Sequence, residues 1–208
     1  MATYTKLAFN HPDAIALADY TGIARDLQSA IQYAKLLLAY RQDKEERNSE
    51  LIEPLCIATL VRYCRPFSSG VRSKLDIQHL SNLTDEQITL HEYLRTIRDK
   101  HIAHSVNCYE LNQTMLQYCV ERLDAEGYTH VVVDEERIIC LSVSEITGLI
   151  EIAEIIIKSV TAFITEEKKR ILQIVKNMPI SEVQQYELKG WNSINSNHAS
   201  KPRIPSKK

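Results

Sequence analysis

His91-Glu92-Tyr93-Leu94-Arg95-Thr96-Ile97-Arg98-Asp99-Lys100-His101-Ile102-Ala103-His104-Ser105 is the stretch that decides how this chain is read. Leu90, Leu94 and Ile97 fall at the four-then-three steps of a buried helix stripe, and Ile102 extends the apolar support. Threaded around that stripe are two arginines, one lysine and three histidines. A helix that only packs a core has little use for so many cationic or titratable side chains, so the stretch marks both a central helix and a candidate site.

Working outward, Thr84 and Gln87 have the spacing of a capping box and predict where the central helix begins, with its end near Ser105. Asn107 and Glu110 repeat that spacing and predict a further helix over about Cys108 to Asp124. Upstream, Ile23, Leu27, Ala30, Ala34 and Leu37 draw one apolar stripe along a long first helix. A second helix is expected from about Glu50 to Arg65, with Pro54 in its first turn and Leu51, Leu55, Cys56, Thr59, Leu60 and Tyr63 turned inward. Pro66 and Gly70 then open a long connection that carries Arg65, Arg72 and Lys74.

Downstream, Thr129–Val133 and Arg137–Leu141 are β-branched runs separated by Asp134-Glu135-Glu136, which predicts a hairpin as the one sheet in the chain. Ser142 and Glu145 cap a last helix that runs as far as Asn177, before Pro179. At 1.5 Å per residue such a helix spans roughly 50 Å, so a break, a protruding end or a dimer contact is expected. The fold class is therefore all-α, a helical bundle with one small β-hairpin insertion. One domain is assigned to residues 1–178 and a polar, flexible tail to 179–208.

The composition fits this outline. The 208 residues are 44% hydrophobic and 25% charged, with only 5 Gly and 6 Pro, which disfavours a loop-rich β-sandwich. A net charge of −2 rules out a broadly basic surface, so a polyanion would have to be held by a local patch. The five cysteines are Cys56, Cys64, Cys108, Cys119 and Cys140; without a Cys-x-x-Cys pair they read as reduced thiols of a cytoplasmic protein. Glu151, Glu154 and Lys158 interrupt the most apolar run, which argues against a membrane span.

Arg98 and His104 carry the chemistry. Arginine offers a permanently charged planar fork suited to phosphate, and histidine moves protons near neutrality. Together they suffice to cleave RNA without a metal: the 2′-hydroxyl attacks phosphorus, the imidazole transfers a proton, and the guanidinium stabilises the phosphorane. On a straight helix six residues apart means about 120° of divergence, so the two converge only if the winding ends or loosens before His104, or if two copies meet. Ordinary accounts stand beside this one. Arg98 would pair with Asp99, and His104 would serve as a cation at a helix C-terminus. Arg65, Arg72 and Lys74 read more readily as a solvated loop than as a phosphate-binding track.

Arg98-Asp99-Lys100-His101-Ile102-Ala103-His104 resembles the Arg-x(4–6)-His motif of the HEPN superfamily, in which a polar residue often follows the arginine, as Asp99 does here. Upstream, Tyr63-Cys64-Arg65-Pro66-Phe67-Ser68-Ser69-Gly70-Val71-Arg72 adds to the likeness with helical HEPN-like proteins of bacteria. The resemblance covers about residues 20–175 and is firmest over 60–110. It implies a HEPN-like bundle that forms a homodimer, with two Arg–His sets in a cleft between protomers. It implies further a metal-independent endoribonuclease of toxin or phage-defence type, with RNA as substrate and an antitoxin-like protein as a further partner. Arg98 would stabilise phosphate charge and His104 would move the proton. Asp99, His101, Lys100, Arg95 and His91 would be accessory. Other members of the family are catalytically inactive dimerisation or RNA/nucleotide-binding modules, and that is the alternative. No metal or other cofactor is expected; Asp76-Ile77-Gln78-His79 is the nearest approach to a helical metal motif and is weak.

Overall fold

The computed structural model describes residues 6–42, 49–70, 73–102, 110–119, 128–137 and 140–186. They are mostly helical, with one antiparallel two-stranded hairpin. The helices are α1 (Ile15–Gln42), α2 (Ser49–Cys64), α3 (Asp85–Ile97), α4 (Val143–Asn177) and the short α5 (Ile180–Val183); the strands are β1 (Glu110–Tyr118) and β2 (Tyr128–Arg137). The chain divides into two compact units, one made of residues 1–28, 65–82 and 153–208, the other of 29–64 and 83–152.

In the first unit, Ile23 and Leu27 of α1 and Ala153, Ile156 and Val160 of α4 are fully buried. Two acids share the buried side of α1. Asp19, 1% exposed, accepts a 2.8 Å hydrogen bond from the Ser73 amide, and Asp26, 3% exposed, pairs with Arg65 at 3.7 Å. A buried carboxylate is costly unless it is paired, so these contacts fix the connection after α2 onto α1. Arg170 extends the unit at α4, joining Glu167 at 2.8 Å and the Asp13 carbonyl at 2.9 Å. Residues 180–186 add α5 and a turn that brings the Tyr186 ring to 4.8 Å from Phe9; the rest of the stretch read as a tail lies outside the described residues.

The second unit holds Ala30, Ala34 and Leu37 of α1, Cys56, Leu60 and Tyr63 of α2, Leu94 and Ile97 of α3, and Ile146, Leu149 and Ile152 of α4 as its core. All five residues of the stripe expected on α1 are fully buried. Thr84 accepts from the Gln87 amide at 3.3 Å and Gln87 returns the bond at 3.2 Å, closing the capping box of α3. Ser142 and Glu145 close the corresponding box of α4 at 3.2 and 2.6 Å. A Cβ on Gly148 would stand 2.4 Å from Leu90 Cδ2, so the missing side chain is what lets α4 approach α3 here. α4 is a single helix of 35 residues, and no break interrupts it.

Four expectations are corrected. Residues from Glu110 onward do not begin a helix: they form β1, running from Glu110 opposite Arg137 to Tyr118 opposite Tyr128. The Asn107/Glu110 signal is local, whereas Thr114, Met115 and Leu116 face Val133, Val132 and Val131 across the ladder, and that non-local pairing overrides it. The hairpin therefore pairs 110–118 with 128–137, and Asp134-Glu135-Glu136 lies within β2 instead of forming the turn. On α2, Leu51 is exposed rather than inward, and Pro54 stands inside the helix beyond its first turn, where it removes one backbone donor.

Among the described residues, no helix is long and apolar enough to cross a membrane.

Candidate functional site

α3 does not simply stop at Ile97. The backbone continues through Arg98–Ile102 as a π turn. π turns are rare and concentrate at functional sites. The Arg98 amide still donates to the Leu94 and Arg95 carbonyls, so the regular ladder of α3 is closed up to this residue and the π winding follows it. Regular α-helical winding therefore gives way at Arg98, the first residue of the motif. His104 lies outside the described residues, as do Arg72 and the side chain of His101.

The Arg98 side chain is one-third exposed, and its Nη1 group donates to Asp99 Oδ1 at 2.7 Å. A guanidinium carries five N–H donors, so this bond leaves most of the fork for an anionic ligand. The carboxylate beside it orients the group, and an incoming phosphate would have to tolerate or displace it. Arg95 and Lys100 are exposed on either side of Arg98.

The inner wall of this site is α2. Cys64 contacts the Leu94 carbonyl at 3.7 Å and lies within the electrostatic reach of Arg98, Asp99 and Arg95. Burial pushes its thiol up to about 12, with the two arginines pulling the other way, so Cys64 stays protonated and inert.

His91 belongs to the core and not to the exposed face. It is 2% exposed, and its Nδ1 shares a 2.8 Å hydrogen bond with the Tyr63 hydroxyl, the two rings meeting edge to face at 5.7 Å. Burial, reinforced by the nearby Arg95 charge, lowers its pKa from 6.5 to about 4, so the imidazole is neutral at physiological pH. Burial also raises the Tyr63 phenol well above its usual range. The accessory role expected of His91 therefore becomes one of support: the neutral pair fixes α3 against α2, one turn below Leu94.

Of the expected phosphate-binding trio, Arg65 is paired with Asp26 and Lys74 is exposed; both belong to the first unit, whereas Arg98 belongs to the second. Asp76 and His79 serve a cap. Asp76 accepts from the Gln78 amide at 3.0 Å and from His79 Nδ1 at 2.8 Å, and Tyr20 meets His79 Nε2 at 3.0 Å. This Tyr–His–Asp line resembles a proton relay. Burial and the Asp76 charge raise the Tyr20 phenol, however, so it holds its proton and the line acts as a structural tie. Sequence reading missed this line and missed the buried acids of α1; Asp19 and Asp26, placed four residues before Ile23 and three after it on the apolar stripe, were the available signal. Among the described residues no group of three or more His, Cys, Asp or Glu side chains could hold a metal ion.

Comparison with protein-family models, with curated proteins and with solved structures returns no match to this chain.

Proposed function

We propose that this chain is a HEPN-like, metal-independent endoribonuclease of the toxin or phage-defence type, in which Arg98 and His104 act on one scissile phosphodiester. The observation that carries the reading is the π turn that starts at Arg98, inside the Arg-x(4–6)-His motif, a departure from regular winding of the kind that concentrates at functional sites. Arg98 stabilises the charge that builds on the phosphorane oxygens, and His104 transfers the proton of the attacking 2′-hydroxyl. Asp99 orients Arg98 in the free protein. Two copies would supply two such sets, and the exposed Leu51, Ile57 and Val61 of α2 offer apolar surface for self-association. An antitoxin-like protein would restrain the activity.

The test is cleavage of mixed cellular RNA by purified protein in EDTA, with Arg98→Ala and His104→Ala assayed beside it. Cleavage by the wild type and by neither variant supports the reading. Equal cleavage by all three assigns the activity to a contaminant and removes the proposal. Sedimentation of the same samples reports whether the protein is a dimer.

A second reading, a non-catalytic interaction module, is favoured by one observation. The hairpin leaves Leu116, Val131 and Val133 between 56% and 67% exposed. An apolar two-stranded ribbon with accessible edges is the kind of surface that captures another chain. This reading predicts association with no RNA turnover and no arrest of growth on expression.

A further inference from the structure

Three segments remote in sequence meet at the peptide that joins Cys140 to Leu141. The Leu141 amide donates to Cys56 Sγ at 3.4 Å, and Arg41, near the end of α1, donates through Nη1 to the Leu141 carbonyl. Cys56 is 4% exposed on the buried face of α2, whereas Cys140 is half-buried, two residues before the cap of α4. These contacts bring the Cys56 and Cys140 thiols into the same small neighbourhood, with Arg41 beside them. Both cysteines are free.

The surroundings give the two sulfurs different characters. The neighbouring Cys56 thiol, and then the Arg41 guanidinium, lower Cys140 against the opposing effect of burial. The neighbouring Cys140 thiol and burial raise Cys56. A half-buried thiolate beside a guanidinium, near a protonated and hidden second thiol, is the arrangement in which one sulfur attacks an oxidant and the other resolves the product. Cys64, on the same helix as Cys56, is buried with its thiol pushed up to about 12, and so serves as an internal control.

We propose that Cys140 and Cys56 form a hydroperoxide-sensitive dithiol, with Cys140 as the attacking sulfur and Cys56 as the resolving one. In the first step the Cys140 thiolate attacks the terminal oxygen of a hydroperoxide. The S–O bond forms, the O–O bond breaks, and the departing alkoxide or hydroxide takes up the proton that Cys140 had released. Cys140 becomes a sulfenic acid, oxidised by two electrons, and the peroxide is reduced to an alcohol or water. In the second step Cys56 attacks the Cys140 sulfur, the S–S bond forms, and the hydroxyl leaves as water with the Cys56 proton. The disulfide staples the connection ahead of α4 to α2, in the unit that contains Arg98, independently of whether Arg98 cleaves RNA.

The experiment uses the reduced full chain, graded hydrogen peroxide, alkylation of the remaining thiols and peptide mass spectrometry. The expected result is loss of two of the five thiols with a Cys56–Cys140 cross-linked peptide, while Cys64 stays alkylated. In Cys56→Ser a dimedone adduct should appear at Cys140, and in Arg41→Gln oxidation at pH 7 should slow roughly tenfold as the thiolate fraction falls. Wild-type protein that keeps Cys140 reduced at peroxide levels that oxidise the urea-unfolded chain overturns the proposal. So does a cross-link joining Cys140 to any cysteine other than Cys56. The wild-type peptide map decides the matter even if a variant fails to fold. RNA cleavage, measured separately, reports on the endoribonuclease reading without bearing on this one.

Discussion

The two ends of α3 are held by different means. At the N-terminus Thr84 and Gln87 exchange two hydrogen bonds across three residues, and everything needed to start the helix lies within one turn. At the C-terminus α3 passes into the π turn at Arg98, a cationic stretch flanked by the end of α2. A cap saturates its donors and is finished. A widened turn leaves backbone groups and charged side chains available, which is tolerable in stability terms only if the rest of the helix is firmly anchored. The Tyr63–His91 pair and buried Leu94 and Ile97 supply that anchoring. The comparison teaches that the rigid end specifies structure and the loosened end is where chemistry is to be sought.

The largest expected effect breaks the comparison at its open end. Arg98→Ala should lower RNA cleavage by about 10²–10³-fold, the cost of removing one preorganised charge stabiliser, while thermal unfolding stays within a degree or two of wild type. A kinetic assay run beside a melting curve checks both halves. His104→Ala should match it.

Next comes the anchor. His91→Ala removes a buried side chain and its hydrogen bond to the Tyr63 hydroxyl, so urea unfolding should show a loss of about 3 kcal/mol. The same residue makes the wild type acid-sensitive. Its folded pKa of about 4 lies below the unfolded value of 6.5. Above pH 6.5 neither state binds the proton and the full stability is present. Between 6.5 and 4 the unfolded chain takes up a proton that the folded protein refuses, and stability falls by about 3 kcal/mol before levelling off below pH 4. Urea midpoints measured across that range should show the fall in wild type and should lack this component in His91→Gln.

Smaller again is the capped end. Thr84→Ala should cost about 1 kcal/mol by denaturant titration and leave RNA cleavage unchanged, the reverse of the Arg98 pattern. The smallest effect belongs to Gly148→Ala. The gain of about 1 kcal/mol in helix propensity is set against a displaced Leu90 methyl group, so the net change should stay within about 1 kcal/mol in the same titration.

The same contrast between local and remote determinants explains what could be read from the chain. The α1 stripe repeats every three or four residues, the capping boxes at Thr84 and Ser142 each span three, and all are present as expected. β1 escaped because Glu110–Tyr118 has no strong strand signal of its own; its partner Val131-Val132-Val133 lies some fifteen residues further on and decides the matter. His91 carries an ionisable side chain, which pointed towards a site, but the phenol that receives it in the core is 28 residues away in α2. Of the candidate site, Arg98 and its pairing with Asp99 were legible from adjacency alone. The diversion of Arg65 to Asp26 and the meeting of Cys56 with Cys140 were not, because each joins segments brought together only by the fold.

The division of the chain carries a consequence for biogenesis. Residues 1–28 complete their unit only with 65–82 and with everything after 152. A ribosome extending this polypeptide therefore exposes the start of the opening helix long before its companions exist, and the first unit waits for residues past 152 while the second already has all its segments. A version cut at residue 82 would contain two incomplete bodies, whereas one cut at residue 152 would hold every segment of the second unit and leave the first unfinished.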